Sequence, residues 1–184
     1  MIEGVKVITL LRDCKAIAIP AGTRAILPKA STVQITQALG GNFTVQSQGN
    51  LFHIAAEDAD ALGKVRIPAI KENPAKKPTA TVDIDQVRNL LKTCYDPEIP
   101  INIVELGLIY RIAVYPLSNN GQKVKITMTL TAPGCGMGNI LAGEIKQKIL
   151  TLSWVDKVEI EVVFDPPWDQ QMMSEAAKLH FGIL

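Results

Sequence analysis

The polar stretch Ile70-Lys-Glu-Asn-Pro-Ala-Lys-Lys-Pro-Thr-Ala-Thr81 most constrains how this chain can fold. It carries Pro74 and Pro78 and shows no hydrophobic period, so it offers neither a core-facing helix nor a core-facing strand. It reads as an extended linker over 70–81, separating a domain at 1–69 from a domain at 82–184. The chain has 184 residues, 47% hydrophobic and 20% charged, a balance that supports a packed core on both sides of the linker rather than disorder.

The two sides carry different patterns. Before the linker, short β-prone runs recur at Val5–Leu11, Ala16–Ile19, Ala25–Leu27, Val33–Thr36, Phe43–Gln46 and Leu51–Ala55. Turn signals separate them at Pro20-Ala-Gly22, Gly40-Gly-Asn42 and Gln48-Gly-Asn50. This spacing predicts a small, mostly-β domain, as a barrel or small sandwich. Asp58-Ala-Asp-Ala-Leu62 is expected to form a helical turn before Gly63.

After the linker the period lengthens. Asp83-Ile-Asp-Gln86 resembles a capping box, and Ile84, Val87, Leu90 and Leu91 then fall on one helical face. Asp96-Pro-Glu-Ile-Pro100 is a rigid turn. Leu108–Val114 and the alternating Val124–Leu130 read as strands joined by a hairpin loop at Pro116–Gly121. A helix is predicted over 139–152 from Leu141, Ile145 and Ile149, then a strand over Val158–Phe164. Asp165-Pro-Pro-Trp168 ends that strand, and a last helix is expected from about Gln170 to His180. The order is α-β-β-α-β-α, an α/β (α+β) domain with a small mixed sheet.

Composition narrows the function. The formal net charge of +1 argues against nucleic-acid or acidic-membrane binding, which needs a basic face. No apolar run is long enough to span a bilayer, and Met1-Ile-Glu-Gly-Val-Lys lacks the pattern of a signal peptide. The three cysteines, Cys14, Cys94 and Cys135, are odd in number and widely spaced, without a CxxC pair. That is no disulfide framework and no self-contained zinc site, and a reducing cytoplasm is the expected location.

Cys135 lies in Leu130-Thr-Ala-Pro-Gly-Cys-Gly-Met-Gly138, between a strand and the start of a helix. Free N–H groups and the helix dipole at such a place favour a thiolate, which attacks electrophiles and binds iron, copper or zinc. The alternative is a small side chain packed beneath the helix. Asp96 and Glu98 are held stiff by Pro97 and Pro100, either in a site or in an ordinary proline-rich turn. Glu105 and the Asp165–Trp168 strand end are weaker candidates, with exposed-surface and core-plug readings beside the functional ones. Cys14 and Cys94 read as packed residues, His53 and His180 as isolated histidines, and Met172-Met173 as helix packing. Neither G-x-x-x-x-G-K-[ST] nor G-x-G-x-x-G occurs.

Taken together, these segments resemble one family. Asp96-Pro-Glu-Ile-Pro100 with Asn102, Glu105-Leu-Gly-Leu-Ile-Tyr110, Thr127–Cys135, Val163-Phe-Asp-Pro-Pro-Trp168 and Met173-Ser-Glu-Ala-Ala177 closely resemble the iron–sulfur cluster assembly domain family, which includes SufT and PaaD. The resemblance covers about residues 82–184. Arg12-Asp-Cys14, Ile35-Thr-Gln37, Leu39–Phe43 and Asp58–Gly63 look like the N-terminal extension of the longer SufT proteins. The resemblance implies an α/β domain and an accessory role in maturing iron–sulfur proteins. It maps the family's motif cysteine onto Cys135 and its acidic turn onto Asp96 and Glu98. Many members carry proline after that cysteine, and Gly136 here loosens the loop.

Clusters usually take four thiolates, so one motif cysteine per chain is short of ligands. One thiolate with carboxylates, or two Cys135 thiolates across a homodimer, makes a weak, exchangeable site for iron or a labile cluster. The same shortage suits a metal-free adaptor docking client apoproteins to assembly proteins. A third reading, a cysteine-nucleophile enzyme, needs a base, and His180 is the one histidine of residues 82–184.

Overall fold

The computed structural model describes residues 6–65, 82–118 and 121–183. The predicted linker at 70–81 lies outside the described residues, as do Asn119 and Asn120 of the hairpin loop and Val5 of the first predicted strand. The chain divides into two compact units, one built on the N-terminal strands, with which residues 97–100 and 135–137 group, and one on the remainder.

The first unit contains strands β1 (Lys6–Thr9), β2 (Cys14–Ile19), β3 (Arg24–Leu27), β4 (Thr32–Leu39), β5 (Asn42–Ser47) and β6 (Asn50–Ile54). They form one six-stranded sheet of order β1-β4-β5-β6-β2-β3, antiparallel throughout. The two tight hairpins follow from their turn residues. Gly40 and Gly41 both take positive φ, as do Gln48 and Gly49. A two-residue loop with both φ positive matches the right-handed twist of the strands it joins.

The mostly-β domain is therefore one sheet rather than a two-sheet sandwich, with β1 and β3 at the two ends of the hydrogen-bonded order. The sheet buries one face with its own chain instead. The 3₁₀ segment Ala56–Leu62 places Ala61 and Leu62 in the core with Leu10, Cys14, Val33, Val45 and Ile54. Arg12 anchors that segment: its Nη2 donates to Asp58 at 2.8 Å and its Nε to Asp60 at 2.9 Å. The forked guanidinium suits two carboxylates set two residues apart. This is why Arg12 and Asp58-Ala-Asp60 occur together in the sequence.

The second unit contains α1 (Ile84–Leu91), β7 (Ile109–Pro116), β8 (Gln122–Met128), α2 (Gly138–Ile149), β9 (Lys157–Val162) and α3 (Glu175–His180). The order α-β-β-α-β-α stands. Strand β7 pairs antiparallel with β8, and β9 pairs parallel with β8, giving a mixed sheet of order β7-β8-β9. Parallel pairing requires a crossover, which α2 supplies. Val124, Ile126 and Met128 of β8 alternate inward, and Leu141, Ile145 and Ile149 of α2 are buried.

Two local expectations change. Asp83 caps α1, its carboxylate accepting from the N–H groups of Asp85 and Gln86. Gln86, however, accepts at its Oε1 from the indole N–H of Trp154 at 3.0 Å, so the amide serves tertiary packing. Ile84 is 41% exposed, outside the core that holds Val87 and Leu91. The single helix expected from about Gln170 to His180 is broken. A 3₁₀ turn at Gln170–Met172 gives way to extended backbone at Met173, and Ser174 starts α3 by accepting from the Ala177 N–H. The break follows from two ties: Met173 is buried, and the Ser174 N–H donates to the Glu105 carbonyl at 2.9 Å.

Candidate functional site

The loop that carries Cys135 begins where β8 ends. The Thr129 N–H donates to the Leu108 carbonyl at 2.9 Å, holding the strand end in place. Residues 131–137 then form irregular chain, with Gly134 at φ 80°, before α2 starts at Gly138. Gly138 packs closely against the Leu130 side chain, whose δ1 methyl would have to move aside for a Cβ there. Cys135 thus sits in a tight loop three residues ahead of α2, as its small-residue surroundings predict.

Burial separates the three thiols. Cys14 and Cys94 are buried, and Cys135 alone is partly open. Removal from water disfavours a thiolate. It pushes Cys94 up to about 12 and Cys14 up to about 11, with nearby Asp58 adding to the second shift. Both are core residues, as the sequence reading holds.

The acidic turn is a closed loop. Tyr95 bridges Asn102, the Asp96 N–H donates to the Ile101 carbonyl at 3.2 Å, and the Ile103 N–H donates to the Cys94 carbonyl at 3.0 Å. Asp96 is 9% exposed, whereas Glu98 stands in solvent. Asn102 explains its place in the motif: its Oδ1 accepts from the N–H groups of Val104 and Glu105 and shapes the next turn. Among the described residues, no group of three or more His, Cys, Asp or Glu is placed to hold a metal ion, and Cys135, Asp96 and Glu98 are no exception.

The segments at Glu105–Tyr110 and Asp165–Trp168 form a latch. Trp168 Nε1 donates to the Leu106 carbonyl at 2.8 Å, and the Tyr110 hydroxyl donates to the Pro166 carbonyl at 2.7 Å. Gly107 takes φ 73°, and a Cβ there would collide with the Met172 backbone. Trp168 is therefore a clamp on the chain preceding β7, and Asp165 remains exposed. Tyr110 carries no functional signal in the sequence apart from its place in the Glu105-Leu-Gly-Leu-Ile-Tyr110 run. His180 lies exposed on α3, edge-on to Phe181.

Thr129 also carried no sequence signal beyond its motif. It is fully buried, and its hydroxyl has no hydrogen-bond partner among the described residues. Such an orphan costs about 1–3 kcal/mol.

Comparison with known proteins bears on the same residues. Residues 84–162 match the protein family described as iron–sulfur cluster assembly protein. An Fe-S protein maturation auxiliary factor of Porphyromonas gingivalis is 39% identical over 100 residues, which cover 54% of this chain and 91% of that protein. The Fe-S protein maturation auxiliary factor SufT of Staphylococcus aureus is 35% identical over 88 residues, 48% of this chain and 96% of that protein. An iron-sulfur cluster carrier protein of Synechocystis sp. is 30% identical over 88 residues, 48% of this chain but 24% of that protein.

Proposed function

The chain belongs to the iron–sulfur cluster assembly protein family, and on that premise we propose that it is an accessory factor in iron–sulfur cluster assembly or maturation, carrying iron or a cluster through Cys135. The observation that supports this reading most is the burial of the other two cysteines. A thiolate that receives and releases cargo must be reachable, and Cys135 alone meets that condition. Names given to relatives, maturation auxiliary factor and cluster carrier, agree with an accessory role.

The ligand shortage sets the mode of action. One thiolate cannot complete the four-ligand shell of a cluster. The cargo is shared between Cys135 of two copies, with Asp96 and Glu98 as supporting carboxylates rather than a complete ligand set within one chain. Such an arrangement is weak and therefore suited to handing cargo onward. A reducing cytoplasm keeps the thiol available; among the described residues, no helix is long and apolar enough to cross a membrane.

The second reading is an adaptor that holds client apoproteins without metal, which the shortage of reachable cysteine ligands suits equally. A maturation assay tests the role of Cys135. Cys135→Ala, folded by circular dichroism, is expected to lose maturation of a client iron–sulfur enzyme. Full activity of that variant would remove Cys135 from the mechanism.

A further inference from the structure

A second candidate site lies wholly within the N-terminal sheet. In the register, Ile17 opposes both Arg24 and His53, and Lys15 opposes Ile26. Directly opposed residues, and residues two apart on one strand, project to the same face. Lys15, Ile17, Arg24, Ile26 and His53 therefore share the face opposite the one that holds Cys14, Ala16 and Leu27. They line a cavity of about 640 Å³, a volume within the range of small-molecule sites.

Its chemistry is specific. The walls are aliphatic, and Ile26 stands 68% exposed, an apolar surface available for a ligand to cover. His53 is 9% exposed, and no described residue hydrogen-bonds its ring. Burial lowers its pKa to about 4, so at neutral pH it is a neutral imidazole with one donor and one acceptor to offer. Lys15 and Arg24 form no ion pair among the described residues. Of the two carboxylates in the lining, Asp58 is engaged by Arg12, which leaves Glu57 opposing two cations.

We propose that this cavity binds a small organic anion, its charged group held by Lys15 and Arg24, its apolar body against Ile17 and Ile26, and a polar atom hydrogen-bonded to His53. The inference stands on the sheet's own residues and is independent of the role assigned to Cys135.

Hexanoate is the probe, titrated into the full chain and followed by amide and imidazole resonances, with hexan-1-ol as the uncharged control. Hexanoate is expected to give saturable shifts confined to β2, β3, β6 and the His53 ring, and to bind more tightly than the alcohol. Lys15→Ala combined with Arg24→Ala should weaken it at least about tenfold, since two charge-assisted bonds are lost. Both side chains are exposed, and the unchanged resonances of the other strands report that the variant is folded. No saturable shift with hexanoate, equal binding of the alcohol, or equal affinity in the double variant would each overturn the proposal.

Discussion

Cysteine burial divides three residues that look alike in sequence. Cys135 should be alkylated by iodoacetamide in the native protein, while Cys14 and Cys94 react once it is unfolded; mass spectrometry of native and urea-treated samples distinguishes them. Native labelling of Cys94 would contradict the burial. His53 carries a pH dependence. Its folded pKa of about 4 lies below the unfolded value of about 6.5, so the unfolded chain binds the extra proton between those values. Stability of the N-terminal unit is therefore full above about pH 6.5 and falls by roughly 3 kcal/mol as pH drops to about 4. Amide hydrogen exchange in β2 and β6, compared between wild type and His53→Gln across that window, should show the slope in wild type and its loss in the variant. At Thr129, replacing the orphan hydroxyl by a methyl removes a desolvation cost. Thr129→Val should unfold at a higher temperature than wild type; a lower midpoint would mean that the hydroxyl is satisfied in solution.

Elements were legible wherever local chemistry decides them. The double-positive turns at Gly40-Gly41 and Gln48-Gly49, the cap at Asp83 and the inward stripe Leu141, Ile145, Ile149 all rest on residues adjacent in sequence. What escaped depends on partners far along the chain. The pause at Met173 is fixed by the Ser174 bond to Glu105, and Gln86 is drawn from its cap by Trp154, neither of which a periodicity can register. The strand order of the first unit is not legible for the same reason: strand spacing is common to barrels, sandwiches and single sheets, and the pairing that distinguishes them joins strands distant in sequence. The latch makes a testable claim about these ties. Gly107→Ala places a Cβ against the Met172 backbone at φ 73°, which L-residues with a side chain adopt at a cost of about 1–2 kcal/mol before the clash is counted. The variant should lower the thermal midpoint of the C-terminal unit, read by Trp154 and Trp168 fluorescence. Ser174→Ala, which removes only the α3 cap, should cost about 1 kcal/mol and shift the same midpoint less. An equal or larger loss at Ser174 would show that the latch is not the stiffer feature.

At the scale of the whole molecule, the function rests on two facts of different origin. The family match, over residues 84–162, supplies the iron–sulfur context. The distribution of thiols, with Cys135 partly open and Cys14 and Cys94 buried, is what the proposed carrier chemistry rests on. The form of the loop around Cys135 is readable in the sequence, since Pro133, Gly134, Gly136 and Gly138 mark a tight turn ahead of α2. The acidic turn was readable as a rigid element, but not that Asp96 is buried while Glu98 faces solvent, which depends on the closure between Tyr95 and Asn102. The most direct test of the carrier claim is anaerobic reconstitution with ferrous iron and sulfide, read by visible absorption and Mössbauer spectra, followed by transfer to an apo-acceptor. Wild type is expected to show iron–sulfur signals that move to the acceptor and are absent from Cys135→Ala. Signals of equal strength in the variant, or no specific iron binding by wild type, would contradict the carrier claim.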